Sequence, residues 1–141
     1  STIDPPPKII MTGILFSEIV NAYLKRVAVK DYINKFNKPD DIDYKRDYRP
    51  TSHFLSAYQQ IVDDIYSYQE SFVFISDKPI LIDEPAIKSI SSNLDFNDHF
   101  YIQLCKRYIN DGKKLLFVTN DSDFIVEDLQ ILTCNKVLLT L

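Results

Sequence analysis

The chain has 141 residues, 45% of them hydrophobic and 26% charged, which is the balance of a folded globular protein with a sizeable core and excludes a disordered or collagen-like chain. No apolar run reaches the length of a membrane span, and Ser1-Thr2-Ile3-Asp4-Pro5-Pro6-Pro7 has neither the basic end nor the apolar centre of a signal peptide, so the expected location is cytoplasmic, with no membrane partner. A net charge of −4 does not mark a protein that neutralises phosphates with gathered basic side chains, but metal ions can reverse the sign an acidic site presents to a polyanion.

After the proline-rich start, Ile9-Ile10-Met11 predicts a short strand, and Thr12 caps a helix reaching about Phe36. On that helix Glu18 stands four residues after Ile14, three after Leu15 and four before Ala22, a spacing that predicts a carboxylate on an apolar face. A carboxylate there needs a partner or a cation. Asn37-Lys38-Pro39-Asp40-Asp41 ends the helix, and a polar connection runs to Pro50. Within it Lys45, Arg46 and Arg49, interleaved with Tyr44 and Tyr48, form the compact basic run of the chain, either a contact for a nucleic-acid backbone or a solvated loop.

From Thr51 a second long helix carries Phe54, Tyr58, Ile61 and Ile65 at helical spacing, widened by Leu55, Val62 and Tyr66, and reads as core. Phe72-Val73-Phe74-Ile75 and Pro79-Ile80-Leu81-Ile82 are apolar runs of which one or both are strands. A short helix at Ala86 to Ile90 precedes Asp95-Phe96-Asn97-Asp98, a start rich in capping residues for a helix with Tyr101, Leu104, Cys105 and Tyr108 on one stripe. Asp98 lies at the edge of that stripe, and as a carboxylate in the first turn it also suits the helix dipole, so capping alone is the plain alternative. Strand 115–118 ends in Thr119-Asn120-Asp121-Ser122-Asp123-Phe124, and Ile131-Leu132 and Val137-Leu138-Leu139 supply terminal strands. Asn, Asp and Ser also make ordinary turns, which is the plain alternative for this acidic segment. Cys105 and Cys134 have no metal-type spacing and read as packed, reduced thiols.

Strands alternating with helices imply a mostly parallel sheet, whose ligands lie beyond the carboxyl ends of the strands. Glu18, Asp98, Asp121 and Asp123 all belong to such junctions and can converge into a cage of hard oxygen ligands. Carboxylates 5–6 Å apart repel by about 3 kcal/mol per pair at an effective dielectric near 20, and a divalent ion removes that cost.

Three segments together resemble the PIN-domain ribonucleases. They are Thr12-Gly13-Ile14-Leu15-Phe16-Ser17-Glu18-Ile19, the stretch from Asp95 to Lys106, and Phe117-Val118-Thr119-Asn120-Asp121-Ser122-Asp123-Phe124. Asp43-Tyr44-Lys45-Arg46-Asp47-Tyr48-Arg49 further resembles a bacterial branch of that family, and the similarity covers about residue 9 to the end. The resemblance implies a three-layer α/β/α domain over residues 1–141 with a mostly parallel central sheet. It implies a metal-dependent endoribonuclease holding Mg²⁺ or Mn²⁺ on Glu18, Asp98, Asp121 and Asp123, with RNA as substrate and a 5′-phosphate product. Many members of the family are toxins paired with an antitoxin protein, so an antitoxin and a homodimer are the partners it suggests; the competing reading is a catalytically silent module of the same fold that binds protein or RNA. Thr119 or Asn120 would orient a carboxylate or a water, or serve the turn alone, while His99 beside Asp98 diverges from it by about 100° and is a poor proton shuttle. The family's first element, a central strand ending in Asp, has no counterpart here: Asp4 precedes three prolines, which cannot form a central strand. The expectation is an N-terminally incomplete domain, short of its middle strand and of one ligand.

Overall fold

The computed structural model describes residues 5–119, 121, 124 and 129–132. The expected readings of Asp4, Asn120, Ser122, Asp123, Cys134 and 137–139 lie outside these residues. The chain divides into two compact units, Ser1–Ser76 and Asp77–Leu141, each mixing helices with a parallel pair of strands.

In the first unit β1 (Ile9–Met11) pairs in parallel with β2 (Phe72–Phe74), Ile9 opposite Phe72 and Met11 opposite Phe74. Thr12 follows β1 directly in extended conformation, and its Oγ1 accepts from the Leu15 N–H at 3.0 Å, opening α1 (Gly13–Tyr23). The helix continues through a π-helical turn, Leu24–Ala28, into α2 (Val29–Lys35). It ends where Asn37 takes a positive φ of 49° and the Lys38 N–H reaches back to the Ile33 carbonyl at 2.9 Å, the hydrogen bond of a Schellman stop. The predicted cap and stop are therefore both present. Thr12 is itself buried, so Thr12→Ala is expected to cost about 1 kcal/mol in chemical denaturation, whereas Thr12→Ser should cost less than half of that.

The connection to Pro50 is less open than its polarity suggests. Asp43 accepts from the Arg46 N–H at 2.7 Å, Asp47 accepts from the Asp43 N–H at 2.8 Å, and between these reciprocal caps Tyr44–Tyr48 closes one π-helical turn. That turn drives Tyr48 to 0% exposure, into a core with Met11, Val20, Leu24, Ala28, Ala57 and Ile65. Thr51 then caps α3 (Ser52–Ser67), accepting from the Phe54 N–H at 3.1 Å. Only part of the expected α3 stripe is core. Phe54, Ile61, Val62 and Ile65 pack inward together with Ala57, whereas Leu55, Tyr58 and Tyr66 are exposed. The apolar residues span about half of the helix circumference at 100° each, more than its own unit covers.

In the second unit Pro79-Ile80-Leu81-Ile82 is not a strand. Lys78–Leu81 forms the helical turn α4, with proline in its first turn where no N–H is needed, and the single strand of the two candidate runs is β2. Next come α5 (Glu84–Lys88), capped by Asp83, and α6 (Phe96–Asn110), capped by Asp95, whose side chain accepts from the Asp98 N–H at 2.9 Å. The strand expected at 115–118 is shorter: β3 (Phe117–Val118) pairs in parallel with β4 (Ile131–Leu132), Phe117 opposite Ile131. Ile102, Cys105, Phe124 and Leu129 form the core, with Leu94, Tyr101, Leu115 and Phe117 packed on it. Burial pushes the Cys105 thiol up to about 11, so it stays protonated and inert at neutral pH, as a packed cysteine should. Among the described residues no helix is long and apolar enough to cross a membrane.

Candidate functional site

Glu18 lies on α1, half-buried, six positions beyond the Thr12 cap. Leu15, Phe16, Ile19, Val20 and Tyr23 turn α1 into the core of the first unit; of the three apolar neighbours of Glu18, Leu15 packs on that core, Ile14 is half-buried and Ala22 is exposed. At 100° per residue, α1 carries apolar side chains around most of its circumference, and Glu18 stands at the border of the side turned to the core of its own unit.

Asp98 is half-buried in the first turn of α6, four residues before Ile102 and seven before Cys105, and so sits at the edge of the buried stripe as its spacing indicated. The side chain of Asp95 caps this helix, and Asp98 stands in its first turn, where a carboxylate also suits the helix dipole. His99 beside it is 2% exposed, and its Nε2–H donates to the Ala86 carbonyl at 2.7 Å, joining α5 to α6. A histidine used in that way is structural rather than a proton shuttle.

Asp121 is exposed, three residues beyond the end of β3. The Thr119 hydroxyl accepts from the Asp121 N–H at 3.1 Å, and the Asp121 carbonyl accepts from the Phe124 N–H at 3.4 Å. Thr119 thus has the turn role, and the turn aims the chain from β3 toward the buried Phe124. Both units therefore place a carboxylate shortly after the carboxyl end of a strand that is hydrogen-bonded in parallel, Glu18 after β1 and Asp121 after β3. Asp98 enters from the start of a helix, and Asp123 lies outside the described residues. All four are oxygen donors of the hard kind that Mg²⁺ and Mn²⁺ prefer. Among the described residues, no three His, Cys, Asp or Glu side chains are gathered as a metal site.

Of the basic run, Lys45 and Arg49 are exposed and Arg46 is engaged within the turn. The Arg46 guanidinium is bound twice by the Asp47 carboxylate, at 2.8 and 2.9 Å. That side-chain bond, with the Asp43 N–H second, holds Asp47 down at about 2, well below the usual carboxylate range. A depressed carboxylate stays ionised until the pH falls toward 2, so the Arg46–Asp47 pair itself persists through the neutral and mildly acid range.

A cluster hidden from the sequence sits in the same unit. Tyr48 Oη lies 3.0 Å from His53 Nδ1, and His53 Nε2 lies 2.8 Å from Asp31 Oδ2, joining the 44–48 turn, α3 and α2. Asp31 and His53 are 22 positions apart, and no local spacing announces the pair. Burial first, then the neighbouring Tyr44, Tyr23, Asp31 and Tyr32, pushes the Tyr48 hydroxyl up to about 12.

No protein-family model, no curated protein and no solved structure matches this chain, so the residues themselves carry any reading of function.

Proposed function

We propose that the chain is a metal-dependent endoribonuclease of the PIN-domain kind, with Glu18, Asp98, Asp121 and Asp123 as ligands of Mg²⁺ or Mn²⁺ in a three-layer α/β/α frame. The observation that supports it most is the repeated junction. Both β1 and β3 are hydrogen-bonded in parallel to a neighbour, and a carboxylate follows each, Glu18 seven residues after β1 on the next helix and Asp121 three residues after β3, toward the edge where open parallel sheets bind ligands. Asp98 adds a half-buried carboxylate at the start of α6. An ion on these oxygens would supply a bound water acidic enough to attack a phosphodiester at neutral pH. The residues' own tasks are to hold the ion, to position RNA in line with that water, and in the case of Thr119 to fix the turn that carries Asp121. As part of the same proposal, the protein acts in the cytoplasm as the toxin half of a pair with an antitoxin.

Incubation with a mixture of single-stranded and folded RNA tests the activity. Fragments bearing 5′-phosphates should form with millimolar Mn²⁺ or Mg²⁺ and should vanish with EDTA. Cleavage that persists in EDTA, or intact RNA at every metal concentration, would contradict the proposal.

A catalytically silent protein-binding module is the second reading, and the exposed stripe on α3 favours it. Leu55, Tyr58 and Tyr66 remain 56%, 44% and 48% exposed beside the residues of the same helix that are core. Such a module needs no ion, so its melting point should not respond to Mn²⁺.

A further inference from the structure

We propose that Asp31, His53 and Tyr48 form a protonation-sensitive latch, closed while His53 is neutral, that holds the Tyr44–Tyr48 turn against α2 and α3 and loosens it on acidification. The direction of the hydrogen bonds follows from the donors present. An ionised Asp31 can only accept, so Nε2 of His53 carries a proton and donates to it at 2.8 Å. In a neutral ring Nδ1 is then the acceptor, and the Tyr48 hydroxyl donates to it at 3.0 Å. Every polar group of the cluster is satisfied in this state. Its tyrosine, pushed up to about 12, remains a donor throughout the physiological range.

When Nδ1 takes a proton from solvent, it becomes a donor itself. The Tyr48 oxygen must then accept, and the hydroxyl proton has to turn to another acceptor. Tyr48 is 0% exposed, and the bond to His53 is the only hydrogen bond of its hydroxyl among the described residues. A buried donor without an acceptor costs more than a surface ion pair returns, and the opposing gain is of the surface kind, because the Asp31 side chain is 67% exposed. The loss therefore outweighs the gain and acid opens the latch.

Among the described residues, no other group around His53 accepts from the Tyr48 hydroxyl. On α2 the Tyr32 ring packs 5.5 Å from the imidazole, and Lys35 lies over the Phe36 ring, which meets His53 edge-on. From the turn, Tyr44 packs on the Tyr48 ring and on Phe54, and Arg49 acts on Tyr44. Asp47, held at about 2, stays ionised between pH 8 and 5. The chain has two histidines, and His99 belongs to the second unit, so His53 is the histidine of the first unit.

Amide hydrogen exchange of the whole chain at pH 8 and pH 5, expressed as protection factors, reads the latch directly. The amides of Asp47 and Arg49, bonded to the Asp43 and Tyr44 carbonyls, should lose about tenfold in protection at pH 5, while amides within 59–65 of α3 keep theirs. Tyr48→Phe removes the hydroxyl and should make protection of the turn independent of pH. Asp31→Asn, at an exposed position, deletes the offsetting ion pair and should deepen the loss beyond that of the unmodified chain; it keeps the test usable should Tyr48→Phe fold poorly. Imidazole ¹⁵N shifts at pH 8 should report Nδ1 as the unprotonated nitrogen. Equal protection at both pH values, a proton on Nδ1 at pH 8, or an Asp31→Asn variant less sensitive to acid than the original would overturn the latch.

Discussion

Phe124→Ala is expected to destabilise the second unit by about 3–5 kcal/mol, the largest effect on folding that a single substitution at the acidic segment should produce. Phe124 is 5% exposed, its ring lies 4.8 Å from that of Phe117 on β3, and it completes a small core with Ile102, Cys105 and Leu129. Removing the ring leaves a cavity among side chains from a helix, a strand and the segment after the turn, which cannot all close in at once. The loss also reaches the site. The Phe124 N–H closes the turn onto the Asp121 carbonyl, so without its anchor the carboxylate of Asp121 is presented by a loose segment. Denaturant unfolding followed separately in the two units should show the loss in the second. A change below about 1 kcal/mol would mean that Phe124 does not pack as the structure has it.

Asp121→Asn is expected to do the opposite: little to the fold, and a fall in RNA cleavage of about 10²–10³-fold, the scale at which one electrostatic contributor is usually felt in a rate. Asp121 is exposed and its backbone N–H and carbonyl bond within the turn, so an amide of the same size fits the same space. What changes is one negative charge at the proposed ion, and removing it relieves repulsion in the metal-free protein. Thermal stability without metal should therefore be unchanged or slightly higher. Unfolding of the variant would instead assign Asp121 to the structure.

The local starts and stops were legible because each depends on chemistry within a few residues. Thr12, Thr51 and Asp95 cap helices where their spacing predicts, Asn37 stops one, and Ile9-Ile10-Met11 is a strand. What depends on distant packing was not. Pro79 belongs to a helical turn because proline suits a first turn as readily as a strand edge, and four apolar residues fit either. Tyr48 looked like part of a solvated basic loop, since nothing local shows that reciprocal caps at Asp43 and Asp47 fold the loop inward. Leu55, Tyr58 and Tyr66 share the apolar spacing of the core residues yet are exposed, because periodicity identifies an apolar face but not how much of it is covered. Glu18 shows the same limit from the other side, on a helix apolar around most of its circumference. Of the candidate site, the placement of Asp98 at a stripe edge and of Asp121 just beyond a strand was legible, whereas the Asp31–His53–Tyr48 cluster, built across 22 positions of sequence, was not.

The central claim is that Glu18, Asp98 and Asp121 serve one divalent ion, and Mn²⁺ tests it most directly because its unpaired electrons broaden nearby amide resonances. Titration of the ¹⁵N-labelled chain with substoichiometric Mn²⁺ should broaden the amides around Glu18, Asp98 and Asp121 together, at the same metal concentrations that raise the melting point by mass action, and Asp121→Asn should weaken all three responses at once. Broadening around only one of the three, or scattered over unrelated surface carboxylates such as Asp40 and Asp63, would contradict the claim.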